Sequence, residues 1–143
     1  LLISACLLGA RCRYDGGSKP QPGVEELAGR YRLIPVCPEQ LGGLPTPRAP
    51  SERQGSKVVS REGRDVTAEY RRGAEEALSL LEFFHAEGAV LKERSPSCGK
   101  GVIYDGSFSG ALTEGDGVFA QLLRERGVPV YGESEIPGLL GKA

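Results

Sequence analysis

Cysteines follow three of the short apolar segments in this sequence, at the points where buried strands are predicted to end. Cys6 and Cys37 come directly after two of these segments, and Cys98 lies in the loop after a third. Thiolate sulfur is a soft ligand for zinc and for iron-sulfur clusters, and a cysteine of lowered pKa is also a nucleophile. The three positions therefore predict a metal centre or a reactive thiol rather than three buried apolar side chains.

The spacing of the cysteines leaves the kind of centre open. No two of the four cysteines form a CxxC pair, so neither a zinc ribbon nor a ferredoxin-type run is present. Zinc with three thiolates and an open site fits the three positions, and so does an iron-sulfur cluster with three cysteines and one open iron. Cys12, in the loop after Cys6, either joins the other thiols or stands apart from them.

Glu39 is the leading candidate for acid-base chemistry beside the thiols. It lies two residues after Cys37 in a segment predicted to be extended, where residues two apart share a face. Ser95 and Ser97 lie on either side of a proline, and they are either catalytic hydroxyls or turn formers. The single histidine, His85, is predicted at the surface near a helix carboxyl terminus, where it complements the helix dipole. Acid-base work is therefore left to other groups.

The elements that must position these residues alternate along the chain. Hydrophobic periodicity predicts strands at residues 1–5, 32–36, 89–93 and 128–131, and helices at residues 24–31, from 67 onward, and at 118–126. Alternating strands and helices indicate a single α/β domain over residues 1–143, with three α/β/α layers and a mainly parallel, Rossmann-like sheet. Because parallel strands end at the same edge of a sheet, the three cysteines are expected to meet there.

Helix ends and a hairpin complete the predicted elements. Thr67 is expected to cap the longest helix and Gly88 to end it, while Thr113 is expected to cap the helix at residues 118–126. A small inserted hairpin is predicted from strands at residues 57–60 and 64–66, joined by a turn at Glu62 and Gly63.

Composition excludes several classes of protein. The chain has 18 basic and 19 acidic residues, a net charge of -1 and no long run of either sign, so neither a nucleic-acid nor a membrane partner is expected. No stretch approaches the ~20 apolar residues of a membrane-spanning helix, and four cysteines in 143 residues are too sparse for a disulfide framework. A cytoplasmic protein is therefore expected. The segment SCGKGV departs from the phosphate-loop motif, because Gly101 stands where that motif has a hydroxyl.

Four segments of the chain together resemble a known bacterial family. They are SACLLGARCRYDGG, PVCPEQLGGLPTPR, GRDVT and LKERSPSCGKGVIYDGSFSG, which follow one another in this order and nearly end to end. The family was long catalogued as a domain of unknown function and contains the thiouracil desulfidases. The resemblance implies a cytoplasmic enzyme that holds a 4Fe-4S cluster by three cysteines, and the matching positions are Cys6, Cys37 and Cys98.

The resemblance also implies a reaction and the residues that carry it. A small thiolated nucleobase such as 2-thiouracil would bind through its sulfur at the open iron, which polarises the C=S bond for attack by water. The products are uracil and sulfide, and no electron is transferred. Family enzymes use a glutamate and a serine; Glu39 matches the first, and Ser95, in preference to Ser97, matches the second. The residues of the same motif loops that are expected to hold the substrate ring are Arg13, Asp15, Arg48 and Lys100.

The residues alone leave three alternatives to this function. A zinc-binding structural or interaction module would be colourless and would not need Glu39. A metal-free thiol enzyme or redox sensor would use Cys6 and Cys12, and one thiol would react much faster than the others. The third alternative keeps the cluster but uses it for sulfur transfer or sensing rather than for hydrolysis.

Overall fold

The strands and helices alternate as the hydrophobic periodicity predicts. The structure, a computed structural model, describes residues 1 to 141, so residues 142 and 143 of the predicted domain lie outside the described residues. In chain order the strands are β1 (Leu2–Ser4), β2 (Ile34–Val36), β3 (Ser51–Gln54), β4 (Lys57–Ser60), β5 (Ala89–Leu91), β6 (Val102–Tyr104), β7 (Leu112–Glu114) and β8 (Val130–Gly132). The helices are α1 (Val24–Arg30), α2 (Pro38–Leu41), α3 (Thr67–Phe83), α4 (Val118–Glu125) and α5 (Ile136–Leu139).

Four parallel strands form the central sheet, in the order β2-β1-β5-β8. Leu2 of β1 lies opposite Ile34 of β2 on one side and opposite Ala89 of β5 on the other. The chain therefore leaves β1 toward one side of the sheet and later returns to form β5 on the other side. In open parallel sheets, ligands bind beyond the carboxyl ends of the strands at such a change of direction.

Helices cover both faces of the sheet and give the three predicted layers. Successive residues of a strand point to opposite faces, so Leu2 and Ile3 enter different cores. The core on the side of Leu2 contains Ala77 and Leu81 of α3 and Phe119 and Leu123 of α4. The core on the side of Ile3 contains Val90 of β5, Leu27 of α1 and Ile136 of α5. The prediction of an α/β/α fold is confirmed.

Both predicted amino-terminal helix caps are wrong. The Thr67 hydroxyl accepts a hydrogen bond from the Val58 N–H at 2.8 Å, and so ties α3 to β4 instead of capping α3. Thr113 pairs with Ile103 in the hairpin of β6 and β7, while α4 begins after Gly117 without a side-chain cap. In both cases the threonine that the local sequence predicts as a helix cap bonds or pairs with a neighbouring strand instead.

The carboxyl end of α3 lies earlier than predicted. The helix stops at Phe83 rather than near Gly88, and His85 adopts a left-handed backbone conformation with φ of 52°. Phe84, the first residue beyond the helix, is 45% exposed. His85 is itself exposed just beyond the end of the helix, so it lies at the surface as expected.

The predicted hairpin pairs with a different strand. β4 lies antiparallel to β3, which precedes it, whereas residues 64–66 contribute the single bridge between Val59 and Asp65. β3 has the sequence SERQ, which shows no alternation of apolar side chains and was therefore missed. The antiparallel pair of β6 and β7 was missed as well.

Candidate active site

Three of the four cysteines come together beyond the carboxyl edge of the sheet. Cys6 lies in the short 3-10 turn Ala5–Leu8 that directly follows β1, Cys37 directly follows β2, and Cys98 lies in the loop after β5. All three line one cavity of about 640 Å³. Cys12 lines the same cavity, and the Cys37 sulfur lies 3.7 Å from its carbonyl oxygen. The structure thus brings together the three thiols that were expected to meet at this edge of the sheet.

A tight turn holds Cys98 at the cavity wall. The Ser95 hydroxyl oxygen accepts hydrogen bonds from the N–H groups of Ser97 and Cys98, at 3.1 and 3.0 Å. The Gly99 N–H closes the turn by donating to the Ser95 carbonyl at 2.9 Å. Gly117 packs against the turn so closely that a Cβ at this position would lie 2.4 Å from the Ser97 carbonyl carbon. Ser95 therefore shapes the turn that presents Cys98.

The two candidate serines occupy different places in this turn. Ser95 is half-buried and lines the cavity. Ser97 is 1% exposed, lies outside the cavity wall, and its hydroxyl oxygen has no hydrogen-bond partner among residues 1 to 141. The geometry therefore favours Ser95 over Ser97 for contact with a ligand.

The short helix α2, which the sequence interpretation missed, carries Cys37 and Glu39. Cys37 is the N-cap residue, and Pro38 occupies the first helical position, where its missing N–H costs nothing. Glu39 follows in the first turn. The extended geometry used to predict that Cys37 and Glu39 share a face is therefore wrong, although both residues do line the cavity.

Two glycines fix α2 against α3. A Cβ on Gly42 would lie 1.9 Å from the Glu69 carbonyl oxygen, and a Cβ on Gly73 would lie 1.8 Å from the Pro38 carbonyl oxygen. Neither distance leaves room for a carbon atom, so the two helices pack backbone against backbone. This contact sets the position of α2 and, with it, the positions of Cys37 and Glu39.

The substitution Gly73→Ala is expected to destabilise the protein by about 1 to 3 kcal/mol or more, because the added methyl group must push the Pro38 carbonyl and α2 away. Urea unfolding measures the change. The matched control is Gly29→Ala in α1, where an added Cβ meets nothing within 4 Å. That control is expected to stabilise the protein by about 0.4 to 1 kcal/mol. Equal unfolding midpoints for the two variants would show that α2 is free to shift.

A buried ion pair with Arg48 holds Glu39. The Arg48 Nε and Nη2 atoms lie 2.9 and 2.6 Å from the same carboxylate oxygen, Oε2, and the two side chains are 7% and 14% exposed for Arg48 and Glu39. Arg48 also donates to the Cys12 carbonyl at 3.0 Å. Burial lowers the pKa of Arg48, but the Glu39 carboxylate outweighs burial and leaves that pKa raised. The guanidinium therefore stays charged and fixes the orientation of the carboxylate.

The environment of the cavity keeps three of the thiols protonated at neutral pH. Burial raises the pKa of Cys98 to about 12, against the smaller effect of the Ser4 hydroxyl. The neighbouring Cys12 thiol, together with burial, raises the pKa of Cys37 far above its usual range. The Cys37 thiol lowers the pKa of Cys12, but the Cys6 thiol and burial outweigh it and leave that pKa raised. Thiols in this state are weak nucleophiles.

The donor set of the cavity suits an iron-sulfur cluster. Cys6, Cys37 and Cys98 supply three soft sulfur ligands from segments that follow separate strands, and a positively charged metal centre would favour their deprotonated forms. In residues 1 to 141, no group of three or more histidine, cysteine, aspartate or glutamate side chains is arranged around a single metal ion. The described residues therefore give no support to the alternative of a mononuclear zinc site.

The four residues predicted to hold a substrate ring do not all reach the cavity. Arg13 and Arg48 line it, whereas Asp15 and Lys100 do not. The exposed Asp15 carboxylate lies 3.6 Å from the guanidinium of the half-buried Arg13. Lys100 forms an ion pair with Glu135 at 2.9 Å. The structure therefore brings the two arginines to the cavity and leaves the other two charges outside its wall.

The cavity wall also contains polar and aromatic residues that the sequence interpretation did not single out. Burial and the Glu39 carboxylate raise the pKa of Tyr70 on α3 well above its usual value, so its hydroxyl stays protonated. The Lys92 ammonium lies 2.8 Å from the Glu133 carboxylate. Glu52, Arg61 and Phe108 line the cavity as well. They come from separate elements of the fold, so no short sequence motif contains them together.

Comparison with known proteins adds an independent finding. The model of a family described as 2-thiouracil desulfurase matches residues 1–135. The chain belongs to the 2-thiouracil desulfurase family. The relationship inferred from the four motif segments is thereby confirmed.

Two related proteins match this chain over nearly their whole lengths. The uncharacterized protein YbbK of Bacillus subtilis (strain 168) is 39% identical over 150 residues, which cover 98% of this chain and 99% of that protein. A solved structure of a 4Fe-4S-dependent thiouracil desulfidase, TudS, has 48% sequence identity and a TM-score of 0.93, and the match covers 98% of this chain and 94% of that one. The arrangement of sheet and helices is therefore that of an enzyme family.

Proposed function

We propose that this desulfurase removes sulfur from a thiolated pyrimidine such as 2-thiouracil, and that Cys6, Cys37 and Cys98 hold a 4Fe-4S cluster. The observation that carries the proposal is the convergence of these thiols on a cavity that also contains the paired side chains of Glu39 and Arg48. The family match supports the reaction. The cluster dependence of TudS supports the cofactor.

The protein and the cluster have separate roles at this site. When bound by three thiolates, a 4Fe-4S cluster supplies an open iron that acts as a Lewis acid toward the thiocarbonyl sulfur. The protein places Cys6 and Cys37 directly after β1 and β2, and it holds Cys98 in the tight turn that Ser95 shapes. Cys12 lines the same cavity, but we assign it no role as a ligand, because the family resemblance matches only Cys6, Cys37 and Cys98 to the cluster.

Glu39 is the group that takes a proton from the attacking water. Both hydrogen bonds from the Arg48 guanidinium end on Oε2, so the pair orients Oε1 without using it. A positioned general base contributes about 10²- to 10⁴-fold to a rate. Water supplies the oxygen of the new C=O group and both hydrogens of the released hydrogen sulfide. The exchange of sulfur for oxygen is therefore balanced without an oxidant or a reductant.

Ser95 serves as a hydrogen-bond donor to the substrate. Its oxygen already accepts two backbone N–H groups, which occupy its lone pairs and leave the O–H proton to donate. A hydroxyl in this state stabilises negative charge that develops on the ring during attack by water. It is poorly suited to act as the base, a role that the Glu39 carboxylate fills.

We also propose that the enzyme works in the cytoplasm on a small nucleobase. All four cysteines are free thiols, as expected in a reducing compartment. The near balance of 18 basic and 19 acidic residues gives no support for a nucleic-acid partner. None of the helices in residues 1 to 141 is long and apolar enough to cross a membrane.

The test is a measurement of iron, acid-labile sulfide and zinc in protein purified without oxygen, followed by an assay for sulfide release from 2-thiouracil. About four irons and four sulfides per chain are expected, with stoichiometric formation of uracil and sulfide. Zinc in place of iron, or no metal after anaerobic reconstitution, would overturn the proposed cofactor. A full cluster without sulfide release would instead favour the sensing or sulfur-transfer alternative.

A further inference from the structure

The buried carboxylate of Glu52, on β3, accepts hydrogen bonds from the backbone of the loop between β6 and β7. It is 9% exposed, and its Oε1 atom accepts hydrogen bonds from the N–H groups of Gly106 and Phe108, at 3.0 and 3.1 Å. The Gln54 side-chain amide adds a hydrogen bond to the Gly106 carbonyl at 2.9 Å. Burying a carboxylate costs free energy unless it has strong hydrogen-bond partners. The loop backbone supplies these partners, and the same hydrogen bonds hold the loop in place.

The loop places the Phe108 ring in the wall of the cavity that contains the thiols. Phe108 has a φ of 56°, in the left-handed region that residues other than glycine rarely adopt. The bond from its own N–H to Glu52 holds it in this conformation. The Arg61 guanidinium lies 5.8 Å from the ring centroid, within the range of a cation-π contact. A strained residue that is held on several sides in this way is typical of a ligand-binding position.

We propose that Phe108 stacks on the pyrimidine ring of the substrate, and that Glu52 and Arg61 are positioning residues that hold the Phe108 ring. The inference rests on the proposed function, because a stacking surface of this kind requires a substrate with a ring. Aromatic side chains stack on the flat faces of nucleobases with little regard to their hydrogen-bonding edges. Phe108 therefore selects ring-shaped thiocarbonyl compounds, while the thiol side of the cavity receives the sulfur.

Phe108 is a better stacking residue than the other aromatic side chains of the wall. Tyr70 is 2% exposed and has almost no free face to offer. Tyr14 is 40% exposed, and the guanidinium against its ring, at 5.5 Å, is that of its own chain neighbour Arg13. Phe108 is instead held by Arg61 and Glu52, which come from the hairpin of β3 and β4. Tyr104, on β6, is the competing ring, and its substitution enters the test.

The decisive variant is Phe108→Leu, assayed in cluster-loaded enzyme. Leucine keeps an apolar side chain but removes the flat face. We expect the KM for 2-thiouracil and the calorimetric Kd of uracil to rise about tenfold, which corresponds to about 1.4 kcal/mol, with kcat unchanged. The inhibition constant of thiourea, which has a C=S group but no ring, is expected to stay within about twofold of the wild type. Phe108→Tyr restores the ring and is expected to restore uracil binding.

Three control variants separate stacking from general effects. Phe84→Leu, at an exposed phenylalanine beyond the end of α3 and outside the cavity wall, is expected to change no constant. Tyr104→Leu is expected to have a smaller effect on uracil binding than Phe108→Leu. Glu52→Ala is expected to weaken uracil binding in the wild type and to add less than about twofold to Phe108→Leu, because Glu52 acts through that ring. Iron content is measured for every variant, so that loss of the cluster is not mistaken for loss of stacking.

The readouts distinguish failure of this inference from failure of the proposed function. Sulfide release with unchanged uracil binding in Phe108→Leu would overturn the stacking role and leave the desulfurase reaction intact. Uracil binding that depends on Phe108, in a loaded protein that releases no sulfide, would support stacking and overturn the reaction. An equal rise in the inhibition constants of uracil and thiourea would show that the substitution disturbs the whole cavity, and would also overturn the stacking role.

Discussion

Glu39→Gln is expected to lower kcat for sulfide release from 2-thiouracil by about 10²- to 10⁴-fold and to leave iron and sulfide content unchanged. Glutamine has nearly the same size and keeps a side-chain oxygen for the Arg48 guanidinium, so the buried cation retains an acceptor. It cannot take the proton of the attacking water. Steady-state kinetics of sulfide release, with iron content measured on the same samples, give the result.

The matched control for this substitution is Glu69→Gln. Glu69 is a half-buried glutamate that pairs with Arg64 at 2.8 Å and lies outside the cavity wall. Its substitution makes the same change from carboxylate to amide beside the same type of partner, an arginine. Its activity is expected to stay within about twofold of the wild type. Full activity in Glu39→Gln would remove Glu39 from the mechanism, and loss of iron from that variant would make its role structural.

Replacing any one of the three proposed ligands, Cys6, Cys37 or Cys98, by serine is expected to remove most of the iron and to abolish sulfide release. A serine hydroxyl is a harder ligand that does not deprotonate near neutral pH, so two thiolates are left to hold the cluster. Acid-labile sulfide, iron and visible absorbance, measured under anaerobic conditions, give the occupancy of each variant.

Cys12→Ser is the matched control, because it removes a thiol from the same cavity wall and leaves the three proposed ligands in place. It is expected to keep the cluster and most of the activity. Retention of full iron content by one of the three ligand variants would contradict the assigned set. Loss of activity in Cys12→Ser alone, with metal-free wild-type enzyme still active, would instead favour the thiol redox alternative.

The arrangement of the sheet could be predicted because its strands carry strong local signals. β1 and β5 are short and buried at every residue, so their apolar runs stand out against a chain rich in glycine and proline. Parallel strands with helical crossovers then leave few topologies, and all of them put Cys6, Cys37 and Cys98 at one edge. That the three thiols lie near one another could therefore be predicted from the order of the elements, without knowledge of any side-chain contact.

The geometry that surrounds the thiols could not be predicted in this way. α2 has only four residues, too few for a helical period, and its position depends on a contact between two glycines that are far apart in the chain. β3 was missed because its buried residue, Glu52, carries a charge, and a charge in a short polar segment normally indicates an exposed loop. Only the folded chain supplies the two backbone N–H groups that make burial of this carboxylate tolerable.

By itself the sequence determined the fold class, the family and the three thiols, because apolar periodicity and motif residues are local properties that survive without coordinates. Only the tertiary structure decided which neighbours these thiols have. The pairing of Glu39 with Arg48, the separation of Ser95 from Ser97 and the placement of Phe108 by Glu52 join side chains from different elements. Such pairings depend on distances of a few ångströms between segments that pack only when the chain folds, and no local pattern of residues records them.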